Sequence, residues 1–450
     1  MEYYPKQEVE ASTNEITRQT SNLRSRWIWA EATIWTDKML TALENGVKGN
    51  KWFSLIDKVY RPHTLLQAWE KVKANKGAAG IDRVSTERFD SQKDKYLKEL
   101  ADALKTGSYI PLAVKRVYIP KGSGKMRPLG IPCVRDRIAQ QAVKLVIEPI
   151  LEKEFLDSSY GFRPGKGAKS ALKEVDRLLK EGYTFVVDAD LQSYFDSIPH
   201  QPLMRKLEEF ISDSKLLSLI EQWLKQKIIE DCKQWIPDQG SPQGAVLSPL
   251  LANLYLHDLD VVITNAGGKI IRYADDFVIL SKDQETAEYM LRVVQEWVTK
   301  NGLTLHPEKT HIGNCLIEGQ GFDFLGYRFE NKTRWIRKKS ILKLRDGIRK
   351  LTRRTCGQSI TTVINNLNPM LKGWYEYFKH VNKWNLATFD SFVRRRLRAI
   401  LKKQNKRSGM GWTITDHMKW PNKFFANLGL FVMEEFRRLD IARQSRCGNY

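Results

Sequence analysis

Asp275 and Asp276 stand side by side within Gly268-Lys-Ile-Ile-Arg-Tyr-Ala-Asp-Asp-Phe-Val-Ile-Leu280. β-Branched and aromatic residues on both sides predict strand, tight turn, strand. Adjacent acids at a hairpin tip, where neither can be buried and neutralised, repel each other and gain most by sharing a divalent cation. The chemistry this suggests is metal-assisted phosphoryl transfer. A hairpin supplies only one side of a two-metal site, so a third carboxylate is expected from a neighbouring strand. Tyr183-Thr-Phe-Val-Val-Asp-Ala-Asp-Leu-Gln-Ser-Tyr-Phe-Asp196 provides it: Val186 and Val187 lie in an apolar strand that runs into Asp188 and Asp190. Asp190 is the better ligand, because one turn can then present its carboxylate and the Phe195 ring to the same pocket. Two metals bridged by Asp190 and Asp275 would activate a 3′-hydroxyl and stabilise a leaving pyrophosphate.

Taken alone, an Asp-Asp pair after a strand reads as a solvated turn. Further motifs in order weigh against that reading. Between the acidic strands lies Gly240-Ser-Pro-Gln-Gly-Ala-Val-Leu-Ser-Pro-Leu-Leu-Ala-Asn253, whose Gly and Pro residues let backbone approach a ligand before a helix begins. With these motifs the chain resembles the bacterial group II intron-encoded reverse transcriptases, also called intron maturases. The resemblance runs from about Trp69 to about Arg398. It rests on the Tyr-x-Asp-Asp box, the Ser-Pro-Gln-Gly loop, and Asn75-Lys-Gly-Ala-Ala-Gly-Ile-Asp82, which is similar to the family's amino-terminal extension box.

The resemblance implies roles for further residues. Val117-Tyr-Ile-Pro-Lys-Gly-Ser-Gly-Lys-Met-Arg-Pro-Leu-Gly-Ile-Pro132 resembles the fingers hairpin, in which Lys121 and Arg127 would hold the triphosphate of the incoming nucleotide. The planar fork of arginine suits phosphate oxygens. Ser159-Tyr-Gly-Phe-Arg-Pro-Gly-Lys-Gly167 is similar to the next box and makes Arg163 a candidate substrate contact. Gly302-Leu-Thr-Leu-His-Pro-Glu-Lys-Thr310 matches the box that sets Lys309 near the reacting phosphates, with a solvated surface lysine as the alternative. Phe322-Asp-Phe-Leu-Gly326 looks like the primer-grip turn, although core packing suits Phe324 and Leu325 better. Gln243 and Gly244 would shape the pocket around the nascent base pair. A bulky Phe195 ring beneath the sugar would leave no room for a 2′-hydroxyl and so favour deoxynucleotides.

The chain has 450 residues, enough for roughly two to four domains with substantial cores. A net charge of +22 predicts an anionic polymer as partner. The charge is concentrated: residues 331 to 407 hold 22 Lys or Arg against 3 Asp or Glu, hence +19, and the rest is nearly neutral. This segment interleaves aromatics with bases at helical spacing. In Phe389-Asp-Ser-Phe-Val-Arg-Arg-Arg-Leu-Arg-Ala-Ile-Leu401, Phe389, Val393, Leu397 and Ile400 form an apolar side. Arg394, Arg395, Arg396 and Arg398 are then the expected nucleic-acid contacts, with binding that weakens as salt rises. The segment is similar to the family's thumb or maturase domain, which implies a grip on template-primer duplex and intron RNA. A membrane-surface helix fits less well, because the aromatics recur over several helices.

Five cysteines, far apart and never in a Cys-x-x-Cys pair, argue against a disulfide framework or a zinc site, and with them against an HNH-type endonuclease domain. A reducing cytoplasm is expected, with association to the nucleoid possible. His200, His257 and His306 read as structural or surface residues, and no apolar run is long enough for a membrane span. Trp29, Ile34, Trp35, Met39, Leu40 and Leu43 suggest one or two helices between Trp27 and Leu55.

The expected architecture is α+β, a right-hand polymerase: fingers and palm with an antiparallel sheet, then an α-helical thumb or maturase domain. The expected divisions are 1–50, an extension that begins disordered; 51–180, fingers; 181–330, palm; 331–407, basic thumb; and 408–450, either DNA-binding or packed on the thumb. The expected activity is RNA-templated DNA synthesis from deoxynucleoside triphosphates onto a DNA primer with two Mg²⁺ ions, together with binding of group II intron RNA and a DNA target. The alternatives are an RNA-binding splicing factor with a secondary polymerase site, or a reverse transcriptase domesticated by its host for DNA repair or phage defence.

Overall fold

The computed structural model describes residues 22–122, 125–231, 233–331, 333–381 and 383–447. The chain forms two compact units: residues 1–177 with 189–311, and residues 178–188 with 312–450. Each mixes helix with strand in the manner of an α+β protein.

In the first unit the sequence from Val114 makes a hairpin of β1 (Val114–Gly122) and β2 (Lys125–Ile131), antiparallel with Ile119 opposite Arg127. β4 (Ile228–Glu230) adds parallel to β1, and β5 (Lys233–Trp235) pairs antiparallel with β4. β3 (Phe185–Asp190) delivers its last two residues, Ala189 and Asp190, to this unit next to β7 (Asp276–Ser281), which is in turn paired with β6 (Lys269–Tyr273).

The helices around these strands include α1 (Asp37–Asn45), α2 (Pro62–Ala74), α3 (Val134–Glu154), α4 (Tyr194–Ser197), α5 (Ser248–Asn265) and α6 (Gln284–Lys300). α3 is buried on several faces, polar positions Asp136, Arg137, Gln140 and Gln141 included, and so its sequence shows little amphipathic period. α1 is shorter than the helical pattern from Trp27 to Leu55 suggests. Thr36 caps its start by accepting from the Met39 amide, and Gly46, at φ +85°, ends it. Two tryptophans ahead of it anchor through their indoles: Trp35 donates to the Leu145 carbonyl on α3 at 3.1 Å, and Trp27 to Glu44 at 2.7 Å.

A buried acid ties α3 to the segment that enters β1. Asp136 accepts from the Tyr109 hydroxyl at 2.6 Å and from the Leu112 amide at 3.0 Å. Burial pushes its carboxyl up to about 6, against the pull of the Tyr109 hydroxyl and Arg135. A raised acid pKa favours the folded state below the ordinary carboxylate range, and this contribution is lost as pH rises through about 6. Asp136→Asn, which never ionises, should therefore gain thermal stability relative to the parent as pH goes from 4 to 7. Melting curves at both pH values check this, and a constant offset between the two proteins would contradict it.

In the second unit β9 (Phe322–Phe324), β10 (Tyr327–Glu330) and β11 (Thr333–Ile336) form an antiparallel sheet in the order β11-β10-β9; β8 (His311–Asn314) precedes them. The turn from β9 to β10 has Leu325 at φ +48° and Gly326 at φ +85°, the left-handed pair that a two-residue hairpin requires. Phe324 is fully buried. Four longer helices follow: α7 (Lys338–Leu351), α8 (Ile360–Phe378), α9 (Lys383–Gln404) and α10 (Met433–Cys447). α9 buries Phe389, Val393, Leu397 and Ile400, the apolar side expected from spacing. Asp390 on α9 caps α10, accepting from the Met433 and Glu434 amides at 3.0 Å each. Trp420, Phe425 and Phe431 are buried in this unit as well. Among the described residues no helix is long and apolar enough to cross a membrane.

Candidate active site

β6 and β7 are joined by a two-residue turn, Ala274-Asp275, with Tyr273 opposite Asp276. Ala274 sits at φ +60°, a conformation that costs a side-chain-bearing residue about 1 kcal/mol or more. Its surroundings hold it there. Arg272, fully buried, forks onto Asp260 of α5 at 2.8 and 3.0 Å, and donates to Asn253 Oδ1 at 2.9 Å and to the Ala274 carbonyl at 3.0 Å. On the other side, the Tyr160 amide donates to the Arg272 carbonyl at 2.8 Å, and the Asn253 amide group donates to the Gly161 carbonyl at 2.7 Å. Gly161 passes so close to the turn that a Cβ would stand 2.4 Å from the Ala274 nitrogen. The acidic tip thus rests on a buried ion pair and a glycine. Asp275 and Asp276 are half-buried there.

Asp190 ends β3. Its carbonyl accepts from the His306 amide at 2.8 Å, and beyond it the Gln192 amide donates to Thr304 at 2.8 Å. This contact brings the loop that carries Lys309 to Asp190, and the Lys309 ammonium pairs with the Asp190 carboxylate. Tyr194, four residues on, is fully buried and donates to the Ala252 carbonyl at 2.6 Å. Burial holds its hydroxyl well above the usual phenol range, and the charges of Arg272 and Asp275 both reach it. Among the described residues no group of three or more His, Cys, Asp or Glu is gathered closely enough to hold a metal ion. The donor set is nonetheless of the right kind. Asp190, Asp275 and Asp276 offer only carboxylate oxygens, the ligands preferred by small hard divalent cations, and Asp190 already takes a positive charge from Lys309.

Phe195 follows Tyr194 with the rings 5.7 Å apart. The 240–244 loop is laid against it: the Ser241 amide donates to the Phe195 carbonyl at 2.7 Å, and Gln243 reaches Asp196 at 3.4 Å. Gly244, at φ +110°, lies so near β2 that a Cβ would stand 2.4 Å from the Gly130 carbonyl. Burial raises the Asp196 carboxyl, while Arg116 and Arg127 pull it down, which puts Arg127 within electrostatic reach of this wall. Lys121 lies in β1, and its side chain is outside the described residues.

Two expectations need correction. Arg163 is buried, and its Nε–H and both terminal amino groups are engaged by Glu152 and by the carbonyls of Phe155, Leu156 and Ser159. With every donor of the fork engaged, Arg163 braces the loop holding Gly161 and has none left for a substrate. Arg398 is 2 % exposed and donates to the Trp420 carbonyl and Asn422 Oδ1, both at 2.9 Å. The helical period carries it round to the packed side of α9. Arg396 is half-buried and donates to Thr352, whereas Arg394 and Arg395 are half-buried and line an open cleft to which the buried Arg398 also contributes. The positions not anticipated from sequence are Arg272, Asp260, Asn253 and Gly161. One signal was available: a charge inside the apolar run Ile270-Ile271-Arg272-Tyr273, and another inside Leu259-Asp260-Val261.

An α+β unit with an acidic hairpin, followed by a basic helical segment, has the form of a template-directed polymerase joined to an RNA-binding domain. Comparison with known proteins agrees. Residues 119–329 match the family described as reverse transcriptase (RNA-dependent DNA polymerase), and residues 341–418 match the group II intron, maturase-specific domain. Protein YkfC of Escherichia coli (strain K12) is 33% identical over 319 residues, covering 62% of this chain and 83% of YkfC. The group II intron-encoded protein LtrA of Lactococcus lactis subsp. cremoris is 40% identical over 203 residues, 44% of this chain and 33% of LtrA. An uncharacterized 91 kDa protein in the cob intron of Schizosaccharomyces pombe is 34% identical over 200 residues, 44% of this chain and 24% of that protein. The chain belongs to the group II intron reverse transcriptase and maturase family, and it is a reverse transcriptase. Enzymes of this class use divalent metal ions, and both domains imply nucleic-acid partners.

Proposed function

We propose that the protein copies primed RNA into DNA with Mg²⁺, and that Asp190 and Asp275 hold two ions while Asp276 supports the site electrostatically. The observation that carries this reading is the hairpin tip, where two adjacent acids are presented on a strained turn braced by the buried Arg272–Asp260 pair. When bound, the metals would supply Lewis acidity at the transferred phosphoryl group and lower the pKa of the primer 3′-hydroxyl. The protein's own part is positioning. Arg127 and Lys121 neutralise the triphosphate; Gln243 and Gly244, fixed between Phe195 and β2, form the wall beside the nascent base pair. Lys309 leaves Asp190 as substrate and metal arrive, and its ammonium then faces the phosphates. Arg394 and Arg395 on α9 contact bound nucleic acid, and the maturase unit grips group II intron RNA to assist splicing and a DNA target to allow mobility.

Phe195 tests the pocket. Its ring would stand where a ribose 2′-hydroxyl needs room, so Phe195→Val should reduce discrimination against ribonucleotides by about tenfold or more. Competing incorporation of a ribonucleotide and its deoxy counterpart measures this, and unchanged discrimination would reduce Phe195 to a packing residue. A splicing-factor role can coexist with polymerisation, since the maturase-specific match lies outside the segment matched as reverse transcriptase. If splicing assistance rests on the basic unit alone, it survives Asp275→Asn.

A further inference from the structure

On the second unit α9 and the segment after it enclose a cleft of about 370 Å³ whose lining contains Arg345, Arg394 and Arg395, the rings of Phe392 and Trp412, and no carboxylate. Trp412 is 68% exposed, with the Arg395 guanidinium 4.3 Å from its ring. Its backbone is anchored even so. The preceding Gly411, at φ +79°, lies so close to α9 that a Cβ would stand 2.8 Å from the Arg395 carbonyl. An exposed indole on a fixed backbone is a flat apolar surface: the Arg395 guanidinium lies over it, and most of the side chain stays open to solvent.

The charges around it are met only in part. Phe392 is ringed by the guanidiniums of Arg345, Arg349 and Arg395 at 5.9, 5.8 and 5.1 Å. The Nε atoms of Arg345 and Arg394 are buried without a hydrogen-bond partner. The acids nearby are shared: Asp346 pairs with Arg349 at 2.7 Å, Asp390 caps α10 while also feeling the charge of Arg394, and Asp416 pairs with Lys402 at 3.0 Å. Burial and the neighbouring Arg349 both lower the Arg395 pKa, the mark of a cation held beside a like charge. Unpaired, partly buried guanidiniums are costly unless an anion joins them.

We propose that this cleft takes one unpaired nucleotide of a bound RNA strand, its base stacked on Trp412 and its phosphate held by Arg345, Arg394 and Arg395. The inference rests on reading this unit as the RNA-binding part of the molecule. A paired base shows the cleft only its edge, whereas a bulged or looped base offers the ring a face. Base-on-aromatic stacking contributes about 1–3 kcal/mol, roughly 5- to 150-fold in affinity.

The test is equilibrium binding of the full chain to three labelled RNA duplexes of equal length: fully paired, with a single-nucleotide bulge, and with that bulge abasic. The bulged RNA should bind about tenfold tighter than the abasic one. Trp412→Ala should abolish that difference and leave affinity for the paired duplex unchanged, and Trp412→Phe should restore most of it. Parent and Trp412→Ala binding all three equally would overturn the cleft while leaving RNA binding intact. No binding of any RNA by the parent would overturn the reading of the unit on which the inference rests.

Discussion

Replacing Asp260 by alanine lowers the stability of the first unit by about 3–5 kcal/mol, because it leaves the Arg272 guanidinium buried and uncompensated. Both side chains have no solvent exposure, and the guanidinium is also the donor that holds the Ala274 carbonyl at the turn. Thermal unfolding should show a drop of several degrees. Arg272→Lys should destabilise too, since an ammonium cannot reproduce the fork onto Asp260 while also reaching Asn253 and Ala274. The double replacement Asp260→Leu with Arg272→Met should recover much of the stability but not the polymerase activity, because it removes the charge imbalance without restoring the support under the acids. A single Asp260→Ala variant that melts with the parent would mean that the pair does not brace the hairpin.

Asp275→Asn lowers the rate of nucleotide incorporation by about 10³-fold or more, the scale seen when a charge partner of a phosphoryl-transfer transition state is removed. The side chain is half-buried at the turn, and the replacement is nearly isosteric, so the fold and RNA affinity should persist. Single-turnover kinetics with saturating RNA separate the two effects. A loss carried entirely by weaker RNA binding would take Asp275 out of the chemistry.

Local signals made the catalytic strands legible. β-Branched and aromatic residues marked β6 and β7, and the further motifs in order set the adjacent acids apart from a solvated turn. The apolar side of α9 followed from period alone, and all four of its residues are buried. What stayed hidden depends on contacts far apart in sequence. Asp260 and Arg272 become partners only when α5 packs behind β6, and Gly161 matters only because the Ala274 turn comes within a Cβ of it. Arg163 and Arg398 show the converse: motif and charge both suggested exposed contacts, yet each guanidinium is drawn inward by backbone carbonyls. The segment from Trp27 to Leu55 reads as one or two helices by spacing, but Trp27 and Trp35 lie ahead of α1 and are held by indole hydrogen bonds rather than by a helical stripe.

The most direct measurement is deoxynucleotide incorporation on a primed RNA template with Mg²⁺, comparing the parent with an Asp275→Asn, Asp276→Asn variant. The account predicts extended DNA from the parent and none above background from the variant, with RNA binding equal in both. Extension by both proteins at similar rates would contradict the assignment of the hairpin acids to catalysis, and extension by neither, with RNA binding retained, would leave RNA binding as the protein's activity.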